Sequence, residues 1–354
     1  MADTEYRVVG IMSGTSLDGL DMALCNFKWE NGTWSFKIVK AETKEYPKIW
    51  KEKLEHAQEN NALAFVELHR MYGRYMGQCV KSFMEGMGDV DFVASHGHTV
   101  FHKPELDTTF QIGCGAYLAA ASGYDTVSDF RTLDIAFGGQ GAPLVPIGDK
   151  MLFPGYDACV NLGGFANISF EKKGELLAYD ICPVNFVLNK MMWDNYKLPY
   201  DFGGEKGRSG NVDYDVLKRM DALPYYCQDG PKSLAREWVE NEFLLLLEDG
   251  GSSVEDMMAT CYHHFANQIA QVLDKNKLKR VLFTGGGAYN DYLIELVKEK
   301  SETDICIPSK EVVDYKEALI FAFLGVLRYE HKNNCLKSVT GSIKDNIGGC
   351  IYLA

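Results

Sequence analysis

The sequence predicts an α/β protein built from two related domains facing each other across a cleft. Three observations carry this reading. A strand, glycine turn, strand, turn, strand order occurs near residues 6–39 and again near 158–179. Segments with helical apolar spacing follow each copy. Glycine clusters stand at strand ends in both halves, at Gly14–Gly19, Gly163–Gly164 and Gly285–Gly287. Duplication of one supersecondary order favours two similar layers over a single continuous sheet. The expected division is 1–135 for the first domain and 136–354 for the second, with the C-terminal tail free to return to the first.

The elements justify that class in turn. Arg7–Met12 and Met22–Phe27 are strand-like, and Asn31-Gly32 is a strong turn dipeptide before Trp34–Val39. Phe65, Leu68, Tyr72, Tyr75, Cys79 and Phe83 recur at helical spacing. Phe92–Ala94 reads as a short strand that ends in a loop, Ser95-His96-Gly97-His98. The pattern restarts with Ala158–Asn161, Asn167–Phe170 and Glu175–Tyr179. Ser252 and Glu255 have capping-box spacing before a helix carrying Met258, Tyr262, Phe265, Ile269 and Leu273. Val281–Phe283 is a strand, and Asn290 caps the helix that follows the triple glycine.

Composition bounds the function. The 354 residues carry a formal net charge of −13, which argues against a broad nucleic-acid or anionic-membrane surface. An anionic small ligand stays compatible, because backbone N–H groups and a bound metal can hold phosphates. The ten cysteines are spread along the chain without a C-x-x-C pair, so neither a disulfide framework nor a zinc site is expected. No apolar run approaches a membrane span, and no signal peptide is evident. A reduced, cytoplasmic protein is the expectation.

The opening turn carries the first chemical signal. Ser13, Thr15 and Ser16 offer hydroxyls and N–H donors, Gly14 and Gly19 offer close approach or positive φ, and Asp18 and Asp21 offer carboxylates for Mg²⁺ through water. Alone, such a turn is most often a polar hairpin. Asn161, Gly163 and Gly164 on the matching hairpin, with Gly285, Gly286 and Gly287 between a strand and a helix, shift the balance toward a nucleotide. Neither a P-loop nor a dinucleotide fingerprint is present.

Longer motifs then become recognisable. Gly10-Ile11-Met12-Ser13-Gly14-Thr15-Ser16-Leu17-Asp18-Gly19-Leu20-Asp21 resembles the N-terminal signature of the anhydro-N-acetylmuramic acid kinases. So do Ser95–Thr99, Asp129–Arg131, Gly138–Pro146, Asn161–Gly164, Pro231-Lys232-Ser233, Thr284–Gly287, Glu317-Ala318 and Val339–Gly341, in order along nearly the whole chain.

The resemblance implies an actin-like, hexokinase-like (ribonuclease H-like) fold, with ATP and Mg²⁺ as cofactors. It also implies a reaction of peptidoglycan recycling. Water opens the 1,6-anhydro bond of the sugar and O6 receives the γ-phosphoryl group. By motif, Asp180 is the implied catalytic base; capping of the next helix is the alternative use of a strand-end aspartate. Gly14 through Asp21, Asn161, Gly163, Gly164 and Gly285–Gly287 are implied for the nucleotide. Thr99, Arg131 and Glu317 are implied for the sugar, with an interdomain salt bridge the competing use of Arg131. No metal site of the protein's own is expected; Mg²⁺ would arrive with ATP, water-bridged to Asp18. The partner expected is a small sugar, and the resemblance implies a homodimer.

Departures cluster toward the sugar side. Asp180-Ile181-Cys182-Pro183-Val184-Asn185 stands where the family usually has Asp-Thr-Gly-Pro-Gly-Asn, which predicts a stiffer backbone and a narrower pocket. Cys114 replaces an aspartate after Gln111-Ile112-Gly113, and His98 a glutamine. A structural or sugar-binding role is expected for His96, His98 and His102, and packing and surface for His263-His264. The alternatives are a kinase of a different amino or anhydro sugar, and a non-catalytic actin-like ATP-binding protein, for which a base at 180 would have no use.

Overall fold

The computed structural model describes residues 4–248 and 251–354. The chain divides into two compact units, one made of residues 1–153 and 315–354, the other of 154–314. The boundary expected after residue 135 therefore falls inside the first unit. The helix Val145–Leu152 lies with that unit, and Phe153 meets Phe36 edge-on at 5.3 Å.

The first unit opens with three antiparallel strands, β1 (Thr4–Ser13), β2 (Gly19–Glu30) and β3 (Thr33–Glu45). Asn31 and Gly32 join the last two with φ of 51° and 83°, the double positive φ that an Asn-Gly hairpin turn supplies. β4 (Phe92–Lys103) lies parallel to β1, pairs with β5 (Thr108–Ile112), and is parallel to β6 (Thr126–Ser128). β12 (Cys350–Tyr352), near the end of the chain, closes the edge against β6. The helix Ala62–Phe83 covers one face, burying Leu68, Tyr72, Met76, Val80 and Phe83. It starts where Asn61 Oδ1 accepts the Ala64 N–H at 3.0 Å, satisfying a donor that the first turn leaves free.

The second unit repeats the plan. β7 (Ala158–Leu162), β8 (Phe165–Lys172) and β9 (Glu175–Pro183) are antiparallel neighbours, and β10 (Arg280–Thr284) and β11 (Asp304–Cys306) extend the sheet in parallel from β7. The strand orders match: β3-β2-β1-β4-β6 in one sheet, β9-β8-β7-β10-β11 in the other. Each unit has its own apolar core. In the second, the helix Val254–Lys275 contributes Met258, Tyr262, Phe265, Ile269 and Leu273. Its cap is Ser253, one residue after the expected Ser252; Ser253 Oγ accepts from Asp256 N at 3.1 Å, while Ser252 Oγ reaches Asp213. Asn290 caps Asp291–Lys300 as expected.

One expectation needs correction. β4 does not end at Ala94 but runs on through Ser95–His98 to Lys103, so the histidines expected on a loop are strand residues. Of His263-His264, the first is half-buried and the second supplies the packing. His264 is fully buried, and its Nδ1 lies 2.6 Å from Asp221 Oδ1.

Candidate active site

In the first unit the turn Gly14–Asp18 lies between β1 and β2. The Leu17 N–H donates to Gly14 O at 3.3 Å, and positive φ falls on Leu17 (59°) rather than on a glycine. Gly14 has open space, with Ser16 Oγ at 3.5 Å from a notional Cβ. Gly19 also answers close packing: a Cβ there would meet Thr43 and the Lys44 carbonyl within 2.8 Å. Leu20 points into the apolar core, so only its backbone could serve a ligand. Asp21 accepts from Thr43 Oγ1 at 2.6 Å, which leaves Asp18, Thr15 and Ser16 as the exposed polar groups of the turn.

Ser13 anchors this turn from beneath. Its buried hydroxyl lies 2.7 Å from Tyr46 OH and 2.9 Å from His98 Nδ1, and Tyr46 OH lies 2.6 Å from Tyr72 OH. One arrangement uses every hydroxyl hydrogen in the chain, with Tyr72 donating to Tyr46, Tyr46 to Ser13, and Ser13 to His98 Nδ1. The His98 ring is then neutral with its proton on Nε2. Burial pushes its pKa down to about 4, consistent with that state.

Thr99, Arg131 and Glu317 belong to the same unit. Thr99 follows His98 on β4, and its Oγ1 accepts from Gln111 Nε2 at 3.4 Å. Arg131 donates from Nε to His96 Nε2 at 2.9 Å and from Nη1 to Gly141 O at 2.6 Å. Because His96 Nε2 accepts, its proton sits on Nδ1, which donates to Gly97 O at 3.0 Å. Desolvation first, and Arg131 second, hold the His96 pKa well below the ordinary histidine value.

Among the described residues Arg131 forms no ion pair within salt-bridge reach. Burial lowers its pKa to about 10, and the Glu317 carboxylate opposes that shift. Glu317 keeps accessible area, yet its carboxyl is pushed up by desolvation, against the pull of Lys316 and Arg131. The two observations agree if the group is reachable by solvent while surrounded mostly by protein. Its neighbour Lys316 is buried and meets buried Asp149 at 3.1 Å.

In the second unit the nucleotide candidates gather at the end of β7 and β10. Thr284 pairs with Asn161, so the Gly285–Gly287 turn starts beside the Asn161–Gly164 hairpin. Gly285 has φ 81°, and a Cβ there would lie 2.7 Å from Asn161 Oδ1; at Gly287 it would lie 2.7 Å from Leu162 Cβ. Gly286 has nothing within 4 Å. The glycines flanking it thus answer close packing between the two turns, and Gly286 offers open backbone. Asn185, after β9, binds the hairpin through Nδ2 to Leu162 O at 3.2 Å.

Asp180 sits within β9, opposite Asn167, where the register shifts. It caps no helix: Asn185–Tyr196 begins at Val184 with no side-chain cap. Instead Asp180 Oδ2 accepts the Leu234 N–H at 2.9 Å. Its backbone is held on both sides, by its N–H to Lys232 O at 3.1 Å and by Tyr225 OH to its carbonyl at 2.6 Å. Lys232 Nζ in turn holds Tyr225 O at 2.8 Å. Burial raises the Asp180 pKa, and the Leu234 N–H opposes the shift. Tyr225 and the Leu234 amide were invisible as site residues in the sequence; the Pro231-Lys232-Ser233 motif was the one signal near them. Cys182 and Val184 are fully buried in the apolar core, so their bulk enters the core and does not narrow the space beside Asp180.

Two sheets of one ribonuclease H-like strand order, each with a polar or glycine turn at the end of its first strand, define the class: an α/β protein of the actin-like, hexokinase-like fold. The family model for anhydro-N-acetylmuramic acid kinase matches residues 6–354. A protein of that name from Francisella tularensis subsp. novicida (strain U112) is 33% identical, covering 96% of this chain and 97% of its own. One from Sulfurovum sp. (strain NBC37-1) is also 33% identical, over 98% and 99% of the two chains. The chain belongs to the anhydro-N-acetylmuramic acid kinase family.

Proposed function

We propose that the protein uses ATP and water to convert 1,6-anhydro-N-acetylmuramic acid to N-acetylmuramic acid 6-phosphate, with Asp180 as the base. Asp180 takes a proton from the water as its oxygen bonds to the anomeric carbon. The bond from that carbon to O6 breaks, O6 takes the γ-phosphoryl group, and ADP leaves. The observation that carries this reading is the state of the Asp180 carboxyl. One oxygen is fixed by an amide, the other has no protein partner among the described residues, and the pKa is raised toward a useful base strength.

The same reading assigns the phosphates to the backbone of Gly14–Gly19, Asn161–Gly164 and Gly285–Gly287, and the sugar to Thr99, Arg131 and Glu317. The three Arg131 N–H groups with no protein partner among the described residues suit a carboxylate or hydroxyl. No group of three potential metal ligands exists among the described residues. Exposed Asp18, beside open N–H donors, fits a Mg²⁺ ion held mainly by phosphate oxygens and water. When bound, that ion would neutralise phosphate charge. The reading also takes the protein as a cytoplasmic homodimer. Among the described residues no helix is long and apolar enough to cross a membrane.

Asp180→Asn tests the assignment. Turnover should fall by about a thousandfold or more, in the range general-base loss gives, while calorimetric ATP affinity stays similar. In oxygen-18 water the wild-type product should carry the label at the anomeric oxygen. Turnover of the variant within a few-fold of wild type removes Asp180 from the role.

A further inference from the structure

We propose that Asp134 is a positioning residue for Arg131, acting through Gly141 and braced by the C-terminal segment 334–348. The proposal rests on the reading of Arg131 as a sugar contact. Asp134 is completely buried, yet among the described residues it has no cationic partner. Its carboxylate is held by neutral donors: Gly141 N–H to Oδ2 at 2.8 Å, and Thr340 Oγ1 and Asn346 Nδ2 to Oδ1 at 2.9 and 2.7 Å. Burying a carboxylate is costly unless such donors compensate it, so the fold commits several groups to this one.

The commitment has a direction. Gly141 is pinned on both sides, its N–H by Asp134 and its carbonyl by Arg131 Nη1 at 2.6 Å. Its φ of 66° suits glycine and turns the carbonyl toward the guanidinium side. The approach leaves no slack, since a Cβ at Gly139 would lie 2.2 Å from Asp134 Oδ2.

The tail holds the other shoulder of Arg131 as well. Gly348 packs so closely on the Phe130 carbonyl that a Cβ would lie 2.3 Å from it, and Gln140 N–H donates to Thr340 O at 2.8 Å. Two corners of the guanidinium are thereby fixed, one on His96 and one on Gly141, and the remaining edge is presented in one orientation. An asparagine at 134 would have to offer an amide hydrogen to one of three donors, and the Gly141 carbonyl would lose its fixed direction.

The test is a double-mutant cycle with two readouts. Asp134→Asn should raise KM for the anhydro sugar about tenfold, within the coupling range of contacting residues, with KM for ATP unchanged. In an Arg131→Ala background the same substitution should add nothing to the sugar KM. Equal effects in both backgrounds, or a parallel rise in the ATP KM, would mark Asp134 as merely structural and overturn the proposal. The second readout is the Arg131 Nη1–H resonance, the one that the Gly141 carbonyl holds, which should be slow to exchange in the wild type and fast in Asp134→Asn. If Arg131→Ala leaves the sugar KM untouched, Arg131 is not a sugar contact, while this resonance still decides whether Asp134 positions it. Should Asp134→Asn fail to fold, Thr340→Val removes a single donor and should give a smaller change of the same kind.

Discussion

Gly10→Ala is a one-carbon perturbation whose consequences can be followed from packing to catalysis. Gly10 lies in β1, beneath the helix Lys310–Tyr329. A Cβ there would stand 1.9 Å from the Ala318 carbonyl oxygen and 2.9 Å from Ala322 Cβ. Contacts under 3.0 Å are not sustained, and the first obstacle is backbone, so strand and helix must part by about 1 Å. Overpacking of that kind costs about 1–3 kcal/mol. For a unit of this size each kcal/mol moves Tm by about 2–4 °C.

On the proposed assignment of Glu317 to the sugar, the same shift acts on chemistry, because Ala318 follows Glu317. A 1 Å misplacement of a positioning group can cost about a hundredfold in rate. Calorimetric Tm and kcat/KM for the sugar should therefore fall together in Gly10→Ala. In Gly155→Ala, where a Cβ meets nothing within 4 Å, both should hold. Wild-type Tm and kcat/KM in Gly10→Ala would refute the claim that helix and strand meet without slack and that Glu317 depends on it.

Four further outcomes follow from the same reasoning. The acid limb of kcat/KM should have its midpoint above the ordinary aspartate value of 3.8, because the base works deprotonated and burial raises its pKa. The folded state then binds the extra proton, so stability from this group is present below 3.8 and is lost as pH rises through the raised value; thermal melts of Asp180→Asn should lack that component. Lys316→Met should destabilise by about 3–5 kcal/mol in urea titrations by leaving Asp149 buried without its cation, and Lys316→Met with Asp149→Leu should recover much of the loss. Asn290→Ala removes a helix cap and the amide that donates to Tyr262 OH at 2.7 Å, so it should cost about 1–3 kcal/mol by thermal unfolding, with ATP affinity lowered through the adjoining glycine turn.

The parts of the fold legible in the sequence were those governed by local chemistry. Asn31-Gly32 has the φ values its turn demands, and Asn290 accepts the amide of Leu293 three residues on. The doubled strand order was legible because each copy carries its own turns. What was not legible depends on distant backbone. The close approach of Gly19 to the Lys44 carbonyl across the sheet leaves no mark in the sequence, and the positive φ of the opening turn falls on Leu17. The end of β4 was hidden because Ser95–His98 has no apolar alternation; its histidines are paid for by Arg131 and Ser13, which lie far off in sequence. The support of Asp180 was hidden for a related reason, since a main-chain amide at Leu234 has no residue signature.

The two sheets differ where their fourth strands end, and on the proposed assignments that difference separates a sugar-reading position from a phosphate-reading one. In the second unit β10 stops at Thr284 and breaks into Gly285–Gly287, exposing backbone beside the β7–β8 turn. That is a surface suited to phosphate oxygens, which need N–H groups and no side chains. In the first unit β4 does not stop. It continues past Ser13 through His98 and Thr99 and folds back as β5, so side chains stand where the other unit offers main chain. Side chains are what distinguish a sugar's hydroxyl, amide and carboxylate groups, and main-chain amides cannot do so alone. Under the proposed function, continuation or rupture of a single strand then sets whether that position reads charge or chemical identity.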